Sequence, residues 1–164
     1  MSGVSELKND AGGERQNSLL PVGVQLVPLR QIALPAGAVM HALKASEPSF
    51  QHFGEAYFTT VEAGQVKAWK RHRQMVSNLI VPSGIIRLQL QDDREQSPTR
   101  GRWLDLSLGT TNYQRLTIPC GFWFGFAGVA SGLNLMLNIA SIEHDPAEAD
   151  TLPLNDPRFA KIDW

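Results

Sequence analysis

The sequence predicts an all-β domain, a sandwich or barrel that contains little helix. Three stretches, 86–91, 104–108 and 133–139, alternate apolar with mostly polar residues. A period of two is the pattern of strands that bury one face. Gly and Pro recur at short intervals between these stretches, where they mark turns. Short, evenly spaced strands joined by turns are typical of sandwiches and barrels.

Each stretch also predicts which side chains face the core. In all three the branched apolar residues share one parity, so we expect them on the buried face. In chain order these residues are Ile86, Leu88, Leu90, Leu104, Leu106, Leu108, Leu133, Leu135, Leu137 and Ile139. The turns expected at the ends of the strands are 82–84, 97–101, 109–112 and 131–132.

We predict a single domain over residues 19–164, because this length suits one core. Residues 1–18 are rich in Gly, Ser, Asn and charge, which predicts a disordered N-terminal arm. No apolar run approaches the roughly 18 residues of a membrane span, and no signal peptide is visible. We therefore expect no contact with a membrane.

The charge and the cysteine content restrict the partners and the compartment. The formal net charge is −1, which does not resemble the basic face of a nucleic-acid binder. Cys120 is the single cysteine, so the chain has no internal disulfide and fits a reducing compartment. We expect a cytoplasmic protein that binds no nucleic acid.

Gly64 and Gly84 frame a stretch with the spacing of the first metal-binding motif of cupins, and residues 119–124 keep the turn of the second. The four positions that would hold the metal are Lys70, His72, Ser77 and Phe124. A divalent metal needs three or four converging His, Cys or carboxylate ligands. One imidazole among these positions cannot hold it, so we predict neither a metal nor another cofactor.

Alternation along the strand after Gly64 predicts which side chains enter the cavity. Residues Ala68, Lys70, His72 and Gln74 have the same parity, and alternate residues of a strand point to one face. In a jelly roll of this kind that face lines the mouth of the barrel. We therefore expect Lys70 and His72 to share the cavity.

Several segments between residues 54 and 164 carry a family resemblance. They are 54–60, 66–72, 93–101, 118–126, 155–157 and 162–164. Segment 93–101 is similar to an Asp-x-Arg-x-x-Ser-Pro-Thr-x-Gly turn, and 118–126 to an Ile-Pro-x-Gly-Phe-x-His-Gly-Phe run. The sequence thus resembles the dTDP-4-dehydrorhamnose 3,5-epimerase family. The resemblance implies a cupin double-stranded β-helix (jelly roll), a nucleotide-sugar ligand and a homodimer.

The resemblance also implies where the family's chemistry would lie. In that family a His oriented by an Asp removes the proton beside the C4 ketone, and a Tyr on the opposite face returns one. These residues correspond to Lys70, to a position beyond Trp164, and to about Leu137, respectively. Related 3,4-ketoisomerases carry His-x-His on the same strand, and His72 corresponds to the second His.

We predict that Lys70, His72 and Tyr57 are the catalytic residues. Lys70 would be a general base or a cation for the oxyanion or the pyrophosphate, and the alternative is a solvated surface lysine. A lysine normally titrates near ~10.4, so a base at this position needs a lowered pKa. His72 can act unaided near neutral pH, or it is a hydrogen-bonded cavity residue. Tyr57 would replace the family's acid, or it only packs.

We predict that Lys67, Trp69, Arg115, Phe124 and Asn138 bind the substrate. Lys67 matches the family's phosphate-binding cation, but alternation turns it away from the cavity, so this role requires a twist or a bulge. Trp69 and Phe124 would stack on the sugar or the base, or they belong to the core or a dimer interface. Arg115 would contact a phosphate or a carboxylate, or it forms a surface salt bridge.

Two functions stay open from the sequence. The first is a nucleotide-sugar epimerase or ketoisomerase of surface-polysaccharide or deoxysugar biosynthesis. It would act on a dTDP- or CDP-4-keto-6-deoxyhexose and move a proton beside the keto group with Lys70 and His72. The second is a non-catalytic cupin that binds a sugar nucleotide or serves as a scaffold.

Overall fold

The computed structural model describes residues 20–164, and the arm predicted for residues 1–18 lies outside them. Within these described residues, twelve strands and two 3₁₀ helices form the regular structure, which confirms the all-β prediction. The strands are β1 (Gln25–Pro28), β2 (Gln31–Leu34), β3 (Gly37–Met40), β4 (Glu55–Thr60), β5 (Val66–His72), β6 (Ser77–Ser83), β7 (Ile85–Asp92), β8 (Trp103–Gly109), β9 (Gln114–Ile118), β10 (Phe122–Gly128), β11 (Leu135–Ala140) and β12 (Ala149–Thr151). The 3₁₀ helices are Pro146–Glu148 and Pro157–Phe159. Among residues 20–164, no helix has the length and hydrophobicity that a membrane span requires.

Two antiparallel sheets of five strands form the domain. The first sheet has the order β1-β9-β6-β11-β4, and the second has the order β12-β5-β10-β7-β8. Strands β2 and β3 pair with each other as a separate hairpin. Neighbours in each sheet are mostly distant in sequence, which is the arrangement of a jelly roll.

Apolar side chains from the inner faces of both sheets form the main core. Strand β7 follows the predicted alternation, since Ile86, Leu88 and Leu90 are fully buried. They pack against residues of the first sheet and of β10, among them Leu79, Val81, Leu116, Phe122 and Met136. The predicted face of β7 is therefore confirmed.

Strand β11 has the opposite parity to the one predicted. Met136, Asn138 and Ala140 point inward and are buried, whereas the residues between them, such as Leu137 and Ile139, are only half-buried on the outer face. On that outer face, Ile139 and Phe50, which comes from the chain before β4, line the same small pocket. The inner face accepts a polar Asn because a pocket, rather than solid core, lies beside it.

A second cluster of aromatic residues covers the outer face of the second sheet. Trp69 of β5, Trp123 of β10 and Phe159 are buried there. Trp103 and Trp164 pack against them, and the ring of Trp69 lies 5.1 Å from that of Trp164 between centroids. The cluster holds the chain after β12 against β5 and β10.

Strand β5 carries a bulge beside β10. Lys70 pairs with Phe124 and Lys67 pairs with Phe126, so two residues of β5 lie opposite Gly125 alone. An extra residue in one strand reverses the parity of what precedes it. Lys67 therefore faces the same side of the sheet as Lys70, which is the condition that the sequence set for Lys67 to reach the cavity.

A buried carboxylate organises the turn after β7. Asp92 is inaccessible to solvent and accepts hydrogen bonds from Ser97 Oγ (2.6 Å), Thr99 Oγ1 (2.7 Å) and Arg94 Nε (2.8 Å). Burial alone would raise the pKa of Asp92, but these donors outweigh it and hold the pKa far below its usual range. The motif assigned to 93–101 thus begins one residue earlier, at Asp92.

We expect Gly125→Ala to destabilise the domain by about 1–3 kcal/mol, because an added methyl group overfills a packed site. A Cβ at this position would lie 2.5 Å from Ala68 Cβ and 2.8 Å from Trp164 Cη2. Urea unfolding measures the effect. Gly132→Ala is the control, since a Cβ there meets nothing within 4 Å. Equal stability of the two variants would contradict the close packing at the bulge.

Candidate functional site

A pocket of about 340 Å³ opens between the two sheets, a size that suits a small-molecule ligand. Strands β4 and β11 form one wall, and β5 and β10 form the other. The polar residues that line it include Tyr57, Thr59, Lys67, Lys70, His72 and Asn138. Leu79, Phe124 and Met136 supply apolar surface. Lys70 and His72 therefore share the cavity, as the alternation of β5 predicts.

His72 forms a buried pair with Glu148. The imidazole Nδ1 lies 2.6 Å from Glu148 Oε2, and both side chains are almost inaccessible. The other carboxylate oxygen, Oε1, accepts the backbone N–H groups of Gln74 (2.7 Å) and Met75 (2.8 Å). The carboxylate thus has a donor for each oxygen, which is the condition for burying a charge without a large penalty.

The surroundings favour a neutral imidazole and an ionised carboxylate. Burial and the positive charge of Lys70 lower the pKa of His72, and together they outweigh the effect of Glu148. Burial would raise the pKa of Glu148, but the hydrogen bonds from His72, Met75 and Gln74 lower it overall. A neutral His72 that donates its Nδ1–H to Glu148 carries its lone pair on Nε2.

The opposite wall presents a hydroxyl. Tyr57 Oη accepts a hydrogen bond of 3.0 Å from Asn138 Nδ2, across the β4–β11 pair. Because the amide is the donor in this contact, the hydroxyl keeps its own proton for another acceptor. Asn138 Oδ1 is buried and has no partner within residues 20–164. Both polar groups border the pocket.

The cations of β5 and Arg73, the residue after it, lie on different faces. Lys67 and Lys70 line the pocket, and Lys67 Nζ donates to the carbonyl of Thr60 at 2.7 Å. Arg71 and Arg73 instead form ion pairs with Asp150 on β12, and Arg71 also pairs with Asp93. The arginines of this segment are therefore neutralised by carboxylates, and the lysines are the cations of the pocket wall.

Two of the predicted binding residues do not direct their side chains into the pocket. Arg115 is completely buried on the outer side of the first sheet, where its guanidinium contacts the Ala42 carbonyl, Ser49 Oγ and Glu47. It fixes the chain before β4 and does not line the pocket. Trp69 is among the residues that line the pocket, but its indole is buried in the aromatic cluster on the outer face. It therefore offers no ring to a ligand, in keeping with the alternative role in packing.

Phe124 and Asn138 do line the pocket, and the Phe124 ring stacks on the His72 imidazole with 6.0 Å between centroids. Leu137, the approximate position implied for the family's Tyr, lies on the outer face of β11. Its neighbours Met136 and Asn138 enter the pocket instead. No group of three or more His, Cys, Asp or Glu side chains in the described chain is placed to hold a metal ion.

Sequence reasoning missed Glu148. Asp145 caps the short 3₁₀ helix that carries Glu148, and Pro146 begins it. An Asp-Pro start is a signal for a helical turn. It announces the element that carries Glu148, although it does not reveal that this element returns to His72.

Comparisons with known proteins identify chains similar to this one. The family model described as dTDP-4-dehydrorhamnose 3,5-epimerase matches residues 62–164. A solved dTDP sugar isomerase from Desulfovibrio desulfuricans G20 shares 41% identity, covers 88% of this chain and 92% of its own, and superimposes with a TM-score of 0.83.

Two relatives act in glycan or polysaccharide biosynthesis, according to their names. The probable low-salt glycan biosynthesis epimerase Agl13 of Haloferax volcanii is 30% identical over 112 residues, which are 66% of this chain and 71% of the relative. The spore coat polysaccharide biosynthesis protein SpsL of Bacillus subtilis is 24% identical over 128 residues, which are 78% of this chain and 85% of the relative.

The lowered pKa of His72 makes a prediction about stability and pH. Below its ordinary pKa of about 6.5, the unfolded chain binds a proton at His72 that the folded chain does not. The free energy of unfolding should therefore fall as the pH drops from 7.5 to 5.5. His72→Gln should lose less stability over this interval, measured by urea unfolding. Parallel curves for the two proteins would contradict the lowered pKa.

Proposed function

Because the chain belongs to the dTDP-4-dehydrorhamnose 3,5-epimerase family, we propose that it is a nucleotide-sugar epimerase or ketoisomerase of polysaccharide or deoxysugar biosynthesis. Its substrate would be a dTDP- or CDP-linked 4-keto-6-deoxyhexose. One observation carries the proposal: a base and an acid come from opposite walls of one pocket. His72 lies on β5 of the second sheet, and Tyr57 lies on β4 of the first.

The reaction moves a proton beside the ketone. His72 Nε2 takes the proton from the carbon next to C4, and the electron pair of the broken C–H bond passes into an enolate. The ammonium of Lys70, on the same wall as His72, stabilises the negative charge on the C4 oxygen. The Tyr57 hydroxyl then gives a proton to the opposite face of the carbon, which inverts its configuration.

In this assignment the base and the acid occupy positions of the pocket that differ from those of the family's His and Tyr. The position that corresponds to the family's His holds Lys70, and His72 faces the pocket two residues later on β5. The position implied for the family's Tyr, about Leu137, lies on β11. Here the hydroxyl comes from Tyr57, the direct partner of Asn138 across the β4–β11 pair. Cavity walls made of paired strands allow such replacements, because neighbouring strands present side chains to the same space.

Lys67 would bind the pyrophosphate of the substrate. The bulge in β5 turns it to the pocket side, and its side chain is exposed at the edge of the cavity. An ammonium at the mouth suits a phosphate that stays partly in water, while the sugar enters between the two walls. Phe124 would then pack against the sugar ring and hold His72 in place.

We expect the protein to act as a homodimer in the cytoplasm. Two large aromatic side chains on the outer side of the first sheet, Phe53 (64% exposed) and Phe58 (63% exposed), lie near each other in sequence. Exposed aromatic residues of this kind are frequent in protein interfaces. The single Cys120 suits a reducing compartment.

Proton exchange tests the proposal. In deuterated buffer with dTDP- and CDP-4-keto-6-deoxyglucose, NMR should show loss of the C3 or C5 hydrogen. We expect His72→Asn to slow both exchange and product formation by about 10²–10⁴-fold, the usual contribution of a general base. Tyr57→Phe should slow product formation at least about 10²-fold and exchange far less, because the base remains.

The controls are His52→Asn, an exposed imidazole, and Tyr113→Phe, whose hydroxyl contacts the His41 carbonyl. Neither should change the rates. Loss of exchange in Lys70→Met but not in His72→Asn would make Lys70 the base and refute the present assignment. Tight binding of both sugars without exchange would instead favour the non-catalytic binding role.

Lys67→Met should raise KM by about tenfold or more, since a charge-assisted hydrogen bond contributes roughly 1.5–3 kcal/mol. The value of kcat should change little, because Lys67 touches the phosphate and not the reacting carbon. Steady-state kinetics separates the two constants. Lys161→Met, which removes an exposed lysine, is the control. A fall in kcat at constant KM would show that Lys67 acts on the chemistry instead.

A further inference from the structure

We propose that Glu148 is the positioning residue of the reaction, which holds the His72 imidazole so that the lone pair on Nε2 faces the substrate. The proposal rests on the proposed function, in which His72 is the base. Glu148 would not touch the sugar. Its effect would pass through His72 Nδ1.

The contacts of Glu148 leave its carboxylate one orientation. Oε2 meets His72 Nδ1 at 2.6 Å, and Oε1 accepts the N–H groups of Gln74 and Met75 at 2.7 and 2.8 Å. Only 3% of the side chain is accessible. The backbone donors come two and three residues after His72 in sequence, so the carboxylate bridges the imidazole and the chain just beyond β5.

The backbone around Glu148 is also tied to β5. Ala149 pairs with His72 in the β12–β5 ladder, and the N–H of Arg73 donates to the Glu148 carbonyl at 3.0 Å. On the other side, Asp145 accepts the N–H of Ala147 at 2.8 Å and caps the short helix. The carboxylate and the imidazole are therefore held in register by hydrogen bonds of the main chain.

A fixed carboxylate on Nδ1 has two consequences for a base. It selects the tautomer with the proton on Nδ1, which leaves Nε2 unprotonated. It also stabilises the imidazolium that forms when Nε2 takes up a proton. The other ionisable groups that act on His72 are Lys70 and His144, and both are cationic when charged. Glu148 is thus the group near His72 that favours the protonated intermediate.

The position of this carboxylate differs from the one that the family resemblance implies. The family's orienting Asp follows the Ile-x-Trp ending, which corresponds to 162–164. Glu148 precedes that ending and supports the imidazole at position 72, whereas the family's His corresponds to Lys70. The pair would thus perform the same chemical task with residues from two other positions.

Nitrogen NMR of the imidazole tests the assignment without any substrate. In the ¹⁵N-labelled wild type near pH 7.5, His72 should show a protonated Nδ1 and an unprotonated Nε2. In Glu148→Gln the amide oxygen can still accept the N–H groups of Gln74 and Met75. Its NH₂ group would then face Nδ1, which must become an acceptor, so the proton should move to Nε2.

The kinetic effect should follow the tautomer. We expect Glu148→Gln to lower kcat by about 10–100-fold, as the loss of a supporting partner usually does, with KM within about threefold because Glu148 does not touch the substrate. Glu148→Asp should restore part of kcat and the Nδ1–H tautomer. Asp150→Asn is the control, because this carboxylate pairs with Arg71 and Arg73 and not with His72.

Three outcomes would overturn the assignment. The first is a wild type in which Nε2 of His72 carries the proton, and this spectrum needs no variant to fold. The second is a Glu148→Gln variant that exchanges sugar protons as fast as the wild type, which refutes the role of Glu148 alone. The third is a wild type with the expected tautomer but no exchange on any keto sugar, which refutes the proposed function and the catalytic role together.

Discussion

The pairing of β5 with β10 is the interaction on which the other features of the molecule depend. The inner face of β5 carries Lys70 and His72, and the bulge in β5 adds Lys67 to the same wall. Its outer face carries Trp69, which anchors the aromatic cluster against the end of the chain. The other edge of β5 pairs with β12, and this pairing brings Glu148 beside the imidazole of His72. One strand thus carries His72 and both lysines of the pocket, and it pairs with the segment that brings in Glu148.

Local pattern predicted the all-β class but not every orientation. The alternation of β7 gave the correct face because that strand is solid core on one side. In β11 the same rule failed, because the inward positions border a pocket and include Asn138, while leucines occupy the outer face. The alternation of hydrophobic residues indicates the period of a strand in both cases. It indicates the face only where the inner side is apolar, and the walls of a binding site break that condition.

The candidate site could be predicted in part for the same physical reasons. Lys70 and His72 were found because parity within one strand is a local property. Glu148 and the outward position of Arg115 were not, because each depends on which distant segments meet, at separations of 76 residues for the His72–Glu148 pair and 66 for Arg115 and Ser49. Contacts of that kind are set by topology, which a single sequence does not display.

The buried guanidinium of Arg115 has a consequence for substitutions among the residues that line the pocket. The guanidinium contacts Ala42, Glu47 and Ser49 in the loop between β3 and β4. That loop leads into β4, the strand that carries Tyr57. Contacts outside the pocket therefore hold the segment that leads into the Tyr57 strand. Side chains that line the pocket can be substituted without removing the contacts of Arg115, so the scaffold can accept changes of ligand specificity.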